Sequence, residues 1–378
     1  MDRKDISRKN TVEIDKNFKT FFSELEKRHV EIRRKVNYFS ANGRQLEEKL
    51  SEEIKVYEPW RLDIMSQLSA ITSILDDEQK KAYQKFIQDT KYYEIVQEAP
   101  FYWRIMNKPN GYAGDAEMMS FIYRNQFEGK TPFGMFLHKH AVNTKACQSV
   151  RNRKTYLTEQ IIKKTGGRIL SLAAGPAQEI QEILDQNKRN GFQFLALDHD
   201  LAALQECNIT HKLPQFTYAL ANAFQIISGQ YRVARPRSFL KKHCYPRKDF
   251  SGFRRLFSSL KYDLIDLKKE KFDLVYTAGL YDYIKTYPLD DSKGTVALTK
   301  NLFDLVKTGG SLIIGNFNQN NPEDLKFVMA YIYDWQLIHR DKHDMMEFAR
   351  NIDELDIKDI QVIDEPLGIN YFLKIDKK

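Results

Sequence analysis

The segment Arg168-Ile-Leu-Ser-Leu-Ala-Ala-Gly-Pro-Ala-Gln-Glu-Ile180 carries an apolar run into a turn of small residues, with an amphipathic stretch directly after it. A strand that ends in small residues ahead of a helix lets backbone approach a ligand closely and aims helix N–H groups at it. Asp198 stands further on, closing the run Phe-Leu-Ala-Leu-Asp. A carboxylate at the tip of a second strand is placed to accept both hydroxyls of a ribose. Together the two segments indicate a nucleoside-containing cofactor, with Ala173, Ala174, Gly175, Asp198 and His199 as candidate contacts. Taken alone, the first segment has a plainer alternative, a Gly-Pro turn of an ordinary α/β protein.

The third small position decides between nucleosides. A dinucleotide fingerprint needs Gly or Ala there, so that helix packs tightly on strand. Counted from Ala173, that position holds Gln178. Pyrophosphate binding is disfavoured, and S-adenosylmethionine fits better. Ala221-Asn-Ala-Phe224 follows the third apolar run, with Asn222 and Ala223 placed to face an adenine and Phe224 to stack on it. Phe272-Asp-Leu-Val-Tyr-Thr-Ala-Gly-Leu-Tyr-Asp-Tyr283 reads as a fourth strand and the loop beyond its carboxyl end. Ligands of open α/β sheets sit outside those ends. Ala278, Gly279 and Leu280 are therefore expected against the cofactor, and Tyr283 at the reaction centre. Gly111-Tyr-Ala-Gly-Asp115 precedes all of these and reads either as a segment closing over a ligand or as a plain glycine-rich turn.

Such residues need elements to hold them. Apolar runs at Arg168–Ala173, Phe192–Asp198, Phe216–Leu220, Phe272–Thr277, Gly310–Phe317, Ile360–Ile363 and Tyr371–Ile375 alternate with helical stretches. That alternation implies βαβ units and a mostly parallel sheet. Only Asp364–Asn370 separates the last two runs, too short a link for a parallel crossover, so they should pair antiparallel. The first hundred residues read as helices. Ile14, Phe18, Phe21, Phe22, Leu25, Ile32 and Val36 form one apolar stripe, for helix packing or, alternatively, for oligomerisation. Leu46, Leu50 and Ile54 restart the pattern after Asn42-Gly43, and Pro59 predicts a kink or break. A helical region over 1–150, with a lid over the cofactor, is thus expected ahead of a catalytic domain over 151–378.

The chain has 378 residues and a formal charge of +8, from 59 Lys plus Arg against 51 Asp plus Glu. The whole surplus lies between Tyr231 and Arg255. Arg232, Arg235, Arg237, Lys241, Lys242, Arg247, Lys248, Arg254 and Arg255 are opposed there only by Asp249. The stretch belongs to an unusually long connection, 225–271, between the third and fourth strands. Clustered cations with interleaved Phe239, Tyr245, Phe250 and Phe253 suit nucleic acid. They suit an acidic acyl carrier protein or an anionic membrane surface as well, and a solvated insertion needs no partner. No apolar run approaches the roughly 20 residues of a membrane span. The charged start MDRKDISRKN does not read as a signal peptide. Cys147, Cys207 and Cys244 make neither a disulfide framework nor a metal spacing, and a cytoplasmic setting without a metal is expected.

The order and content of these segments resemble a class I S-adenosylmethionine-dependent methyltransferase over roughly Gly167–Lys374. The strings Gly111–Asp115, Ala278–Tyr283, Asp334-Trp-Gln-Leu-Ile-His-Arg340 and Gly368-Ile-Asn-Tyr-Phe372 are similar to a bacterial subgroup that includes synthases of 3-hydroxy fatty acid methyl esters. The resemblance implies a Rossmann-like seven-stranded sheet with its last strand antiparallel, S-adenosylmethionine as cofactor, and a small molecule or fatty-acyl carboxylate as substrate. It also implies an acidic residue in the first strand holding the cofactor's amino-acid end, where this chain has Ser171. Asp115, with Tyr112 and Gly114, is the expected replacement, and backbone carbonyls of the turn are the alternative. A carboxylate acceptor is already ionised and needs charge recognition instead of a base. Arg340 is the expected clamp, or else a surface salt bridge. Tyr283 and His339 are the candidates for an amine or hydroxyl acceptor. Tyr281, Tyr283, Tyr331, Tyr333 and Trp335 fall in substrate-side segments, though core packing accounts for most of them. An RNA or protein methyltransferase docking through the basic insertion is the second reading. A non-catalytic S-adenosylmethionine-binding protein is the third.

Overall fold

The structure, a computed structural model, describes residues 12–185, 191–200, 202–203, 207, 215–236 and 262–378. The chain divides into two compact units, and neither is one continuous stretch. A helical unit takes 1–107, 127–141 and 322–336, and a sheet unit takes 108–126, 142–321 and 337–378. A single cut at residue 150 is therefore too simple. Residues 108–126 go with the sheet, and 322–336 leave the C-terminal half to pack among helices. Among the described residues no helix is long and apolar enough to cross a membrane.

The first eight helices in chain order are α1 (Lys16–Asn37), α2 (Gly43–Thr72), α3 (Asp77–Gln88), α4 (Lys91–Ile95), α5 (Pro100–Asn107), α6 (Ala116–Arg124), α7 (Pro132–Val142) and α8 (Lys145–Ile162). Asp15 starts α1 by accepting the Phe18 N–H at 2.9 Å, an ordinary N-cap. The apolar stripe is consumed within the unit. Phe18, Phe22, Leu25, Ile32 and Val36 are buried, and the Phe18 ring meets Tyr83 edge-on at 4.7 Å. α2 runs unbroken through Pro59, so of the expected kink or break the break does not occur. Tyr57, Arg61, Ile64, Met65 and Leu68 are buried on both sides of the proline. Burial on that scale outweighs the roughly 3 kcal/mol that a proline costs inside a helix.

Among the described residues nine strands form one sheet, where seven were expected. They are β1 (Arg168–Leu172), β2 (Gln193–Asp198), β3 (Phe216–Leu220), β4 (Arg232–Pro236), β5 (Tyr262–Asp266), β6 (Phe272–Thr277), β7 (Val306–Phe317), β8 (Ile357–Asp364) and β9 (Asn370–Lys377). Their order is β5-β4-β3-β2-β1-β6-β7-β9-β8. The two unforeseen strands come from the long basic connection, which adds an antiparallel hairpin to the β3 edge. Seven of its nine basic residues, from Arg237 to Arg255, lie outside the described residues. Of the other two, Arg235 pairs with Asp263 at 3.0 Å, largely exposed. At the opposite edge β9 runs antiparallel to both β7 and β8. The short link does close an antiparallel turn, with Gly368 N–H donating to Glu365 O at 2.7 Å.

Five shorter helices complete the two units. α9 (Gln178–Asp185), α10 (Ala223–Ile227), α11 (Gly294–Phe303) and α13 (Lys342–Glu347) belong to the sheet unit. α12 (Glu323–Phe327) lies on the segment that returns to the helical unit, where Asp324 meets Arg61 at 3.3 Å.

The sheet buries side chains on both faces. Leu170, Leu172, Val275, Leu312 and Ile314 pack on one side with Leu298, Leu302 and Phe303 of α11. Ile169, Phe194, Ala196, Leu274 and Ile313 pack on the other with Ile180 and Ile183 of α9 and Leu157 of α8. Burial on both faces is why the parallel strands read as continuous apolar runs.

Candidate functional site

β1 lies between β2, toward which the chain first winds, and β6, toward which it later returns. That reversal is a topological switch point, and open α/β sheets bind ligands outside the carboxyl ends of the strands that meet there. The turn leaving β1 is conformationally unusual. Ala173, Gly175 and Ala177 all have positive φ, at 55°, 54° and 51°. Two alanines in the left-handed region cost on the order of 1–2 kcal/mol each, and such strain concentrates at functional sites.

Hydrogen bonds hold this turn from β2 and β3. Ala174 N–H donates to Leu197 O at 3.0 Å. The Gly175 N–H donates to Asp198 Oδ2 at 2.9 Å. Tyr218 Oη–H donates to Gly175 O at 3.2 Å, and Gln181 Nε2–H to Pro176 O at 2.5 Å. The carbonyls of Ala174, Gly175 and Pro176 thus already accept bonds from within the chain.

Asp198 is 5% exposed. Its Oδ1 accepts from Asp200 N at 3.0 Å and lies 3.3 Å from His199 Nδ1. Each carboxylate oxygen accepts about two bonds, so Oδ2 keeps a lone pair for a ribose hydroxyl. The hydrogen bond to Asp198 raises the His199 pKa. Burial raises that of Asp200, which accepts the Tyr112 hydroxyl at 3.0 Å. Tyr112 also stands 5.4 Å from the His199 ring. The Gly111–Asp115 string therefore belongs to this site, through Tyr112.

Asp115, the expected replacement for the first-strand acid, is engaged within the chain. It is fully buried as the N-cap of α6. Its Oδ1 accepts from Met118 N at 2.9 Å and its Oδ2 from Asn110 Nδ2 at 3.0 Å. Asn222 likewise caps α10, accepting from Phe224 N at 2.9 Å. Phe224 is 67% exposed, an unusual position for a phenylalanine and one suited to stacking on a ring.

The loop after β6 brings Tyr281–Tyr283 into one helical turn. Asp282 Oδ1 accepts the Phe317 N–H at 2.7 Å, and burial pushes its pKa up to about 6. Arg340 is neither an exposed salt bridge nor a clamp. It is 2% exposed, and its Nη1 donates to Tyr281 O at 2.7 Å and Asn316 Oδ1 at 2.6 Å, while its Nη2 donates to Ile284 O at 2.5 Å. It is a positioning residue for the loop. His339 is half-buried with its ring 6.2 Å from Phe317, and Tyr283 is exposed. The aromatic group disperses. Tyr281 is buried and bonded to Thr299 Oγ1 at 2.9 Å. Tyr331 donates to Thr72 O at 3.0 Å inside the helical unit, where Tyr333 packs on Tyr102 at 5.4 Å. Trp335 belongs to that unit too.

Three polar residues of the crevice carried no motif. Ser171 is buried in β1. Glu179, in the first turn of α9, is buried and accepts the Tyr276 hydroxyl at 2.5 Å, with burial raising its pKa. Arg153 of α8 is 5% exposed, and its Nη1 has no hydrogen-bond partner in the protein. Glu179 directly follows Gln178 and could have been noticed as a second acid. Arg153 offers no signal in sequence, because it sits in mid-helix well ahead of β1.

No protein-family model matches the chain, and no curated protein matches it in sequence. Among solved structures it is similar to a Bordetella parapertussis protein named a possible exported protein, at 14% identity and a TM-score of 0.47, over 89% of this chain and 99% of that one. It is also similar to magnesium protoporphyrin IX methyltransferase from Synechocystis PCC 6803 with bound SAH, at 10% identity and a TM-score of 0.38, over 70% and 96%. An S-adenosylmethionine dependent methyltransferase from Mesorhizobium loti matches at 10% identity and a TM-score of 0.36, over 59% and 97%. At such scores these likenesses assign no residue roles in this chain.

Proposed function

We propose that this chain is an S-adenosylmethionine-dependent methyltransferase of class I type, acting on a small organic molecule, with a fatty-acyl carboxylate as acceptor and a methyl ester as product. One observation carries the reading. Asp198, at the tip of β2, is fixed against the Gly175 amide of a strained turn at the sheet's switch point. A ribose-binding carboxylate beside a close-approach backbone, with no small residue at Gln178, suits a mononucleoside better than a dinucleotide. The exposed Phe224 ring beyond β3 supports a face for the adenine.

When bound, the cofactor supplies a methyl group on a sulfonium, open to in-line displacement. The chain's work is then to position the acceptor and exclude water. Arg340 holds the Tyr281–Ile284 turn through backbone carbonyls, and Asp282 holds the end of β7 through the Phe317 amide. These bonds fix the loop on which Tyr283 faces outward. An ionised carboxylate acceptor leaves no proton for the chain to remove.

Methyl-labelled S-adenosylmethionine given to the chain with cell extract, split into lipid, small-molecule, RNA and protein fractions, tests this. Label is expected in the lipid or small-molecule fraction and lost with Asp198→Ala. Label in RNA alone or protein alone overturns the acceptor class. Tight binding of S-adenosylhomocysteine with no label transferred to any fraction points to a non-catalytic binding protein.

A further inference from the structure

Arg153 is a buried cation whose Nη1 has an unmet hydrogen-bond donor. It lies on a face of α8 that is held in place one turn earlier. Ser149 donates to Glu365 Oε2 at 2.8 Å, and Asn152 donates to Glu365 Oε1 at 2.5 Å. Glu365 is itself buried, at 1% exposure. Residues four apart share a helix face, so Ser149 and Arg153 point the same way and the arginine is placed by a fixed element.

Its guanidinium ends against the loop beyond β6. A Cβ added to Gly279 would lie 3.2 Å from Arg153 Nη1 and 3.3 Å from Nη2. With no side chain on Gly279, the guanidinium packs directly against the backbone at the carboxyl end of β6. The half-buried Tyr123 hydroxyl lies beside the guanidinium, feels its charge and takes a hydrogen bond from it, but burial keeps it neutral and it brings no countercharge. Among the described residues no carboxylate forms an ion pair with Arg153, although the buried carboxyls Glu179 and Asp282 both feel its charge. An unsatisfied N–H on a buried cation is costly. The partner that fits is an anion with acceptor oxygens in one plane, a carboxylate.

β1 carries Ser171 where the acid was expected, and Asp115 and the turn carbonyls already accept bonds from within the chain. We infer that Arg153 receives the α-carboxylate of the cofactor's amino-acid portion, so that a guanidinium on α8 anchors the end for which the first strand supplies no charge. This rests on the cofactor reading above. Glu179, on the first turn of α9 and within the arginine's field, is the acid nearest in role for the opposite charge of that zwitterion.

The test is calorimetric binding to the full chain of two ligands that differ in one group. S-adenosylhomocysteine has both the α-carboxylate and the amine, and its decarboxylated analogue keeps only the amine. Arg153→Gln is expected to weaken S-adenosylhomocysteine about 30- to 100-fold, as loss of a charge-assisted hydrogen bond does. The decarboxylated analogue should bind within about threefold of its wild-type affinity, which also certifies the fold of the variant. Arg153→Lys keeps the charge but loses the planar fork, and an intermediate loss confined to S-adenosylhomocysteine is expected. Equal weakening of both ligands, or of neither, overturns the assignment. If neither ligand binds the unaltered chain, the cofactor reading fails, and this one with it.

Discussion

The helical unit and the sheet unit bury charge in opposite ways. In the helical unit the buried ionisable groups are mostly bases, met by the chain itself. His29 is fully buried, with Nδ1 2.7 Å from Leu25 O and Nε2 2.8 Å from the Tyr57 hydroxyl. A carbonyl can only accept, so Nδ1 carries the proton and the ring is neutral. Arg61 faces Asp324, and His140 pairs with Glu58. In the sheet unit the buried groups are mostly acids, with Glu179 and Asp282 around an arginine that no acid pairs directly. Even where Arg61 leaves its Nε unpartnered, a carboxylate meets its charge. Arg340 has three acceptors and Arg153 an open position. Single buried nitrogens without a partner occur in the helical unit too, on Arg61 and His140, but each of those side chains also pairs with a carboxylate, as Arg153 does not among the described residues.

The sharpest way to separate the units is steric. Gly43, at φ +52° in the helical unit, has nothing within 4 Å of an added Cβ. Gly294, at φ +62° at the start of α11, would put that Cβ 2.0 Å from Lys285 O. Gly294→Ala should cost more than about 3 kcal/mol and Gly43→Ala about 1 kcal/mol, read from urea unfolding followed by circular dichroism. Equal costs would break the contrast.

The next effect is the pH response of the helical unit. Burial, with Arg61, His140 and Arg28 nearby, lowers the His29 pKa to about 3, opposed by the bond to Leu25. The unfolded chain binds this proton below about pH 6.5 and the folded chain does not, so stability rises with pH between those values. From about pH 5 to about pH 7.5 the gain should be roughly 2 kcal/mol. Trp60, Trp103 and Trp335 all belong to the helical unit, so tryptophan fluorescence reads it directly. His29→Gln should flatten that slope.

The sheet unit should respond with the opposite sign and less strongly. Asp282 titrates at about 6 in the fold, through burial, against 3.8 in an open chain, with the Phe317 amide, Arg153 and Arg340 pulling it down. The folded state holds the extra proton in that window, so stability falls as pH rises through it. From about pH 5 to about pH 7.5 the loss should be about 1 kcal/mol. Asp282→Asn should remove it, measured as the pH slope of unfolding followed by circular dichroism. A slope of the same sign as that of the tryptophan signal would show that the contrast between the units is wrong.

How far the sequence carried these features varied by element. The seven apolar runs from Arg168 to Ile375 each became a strand, the inner ones because burial on both faces writes itself into composition, although β8 at the edge is only partly buried. The Asp364–Asn370 link dictated an antiparallel pair by length alone. β4 and β5 were missed, since they are two-stranded edge structure inside a charged connection and carry no core pattern. Pro59 misled because tertiary packing overrode a local preference. Arg340 misled because its exposure was assumed. The polar run Asp341-Lys-His-Asp344 follows it directly, yet its side chain turns inward to two backbone carbonyls and the Asn316 amide oxygen.

By itself the sequence determined the sheet's order of events, the small-residue turn at Ala173–Gly175 and the acid at Asp198. Each is local: a periodicity, a spacing or a residue type at a strand's end. Only the tertiary structure decided which charges are occupied. It committed Asp115 and Asn222 to helix caps and Arg340 to a loop, and it left Arg153 open beside Gly279. Occupancy depends on partners far apart in the chain, such as Ser149 with Glu365 or Arg153 with Gly279, and no local pattern encodes such a meeting.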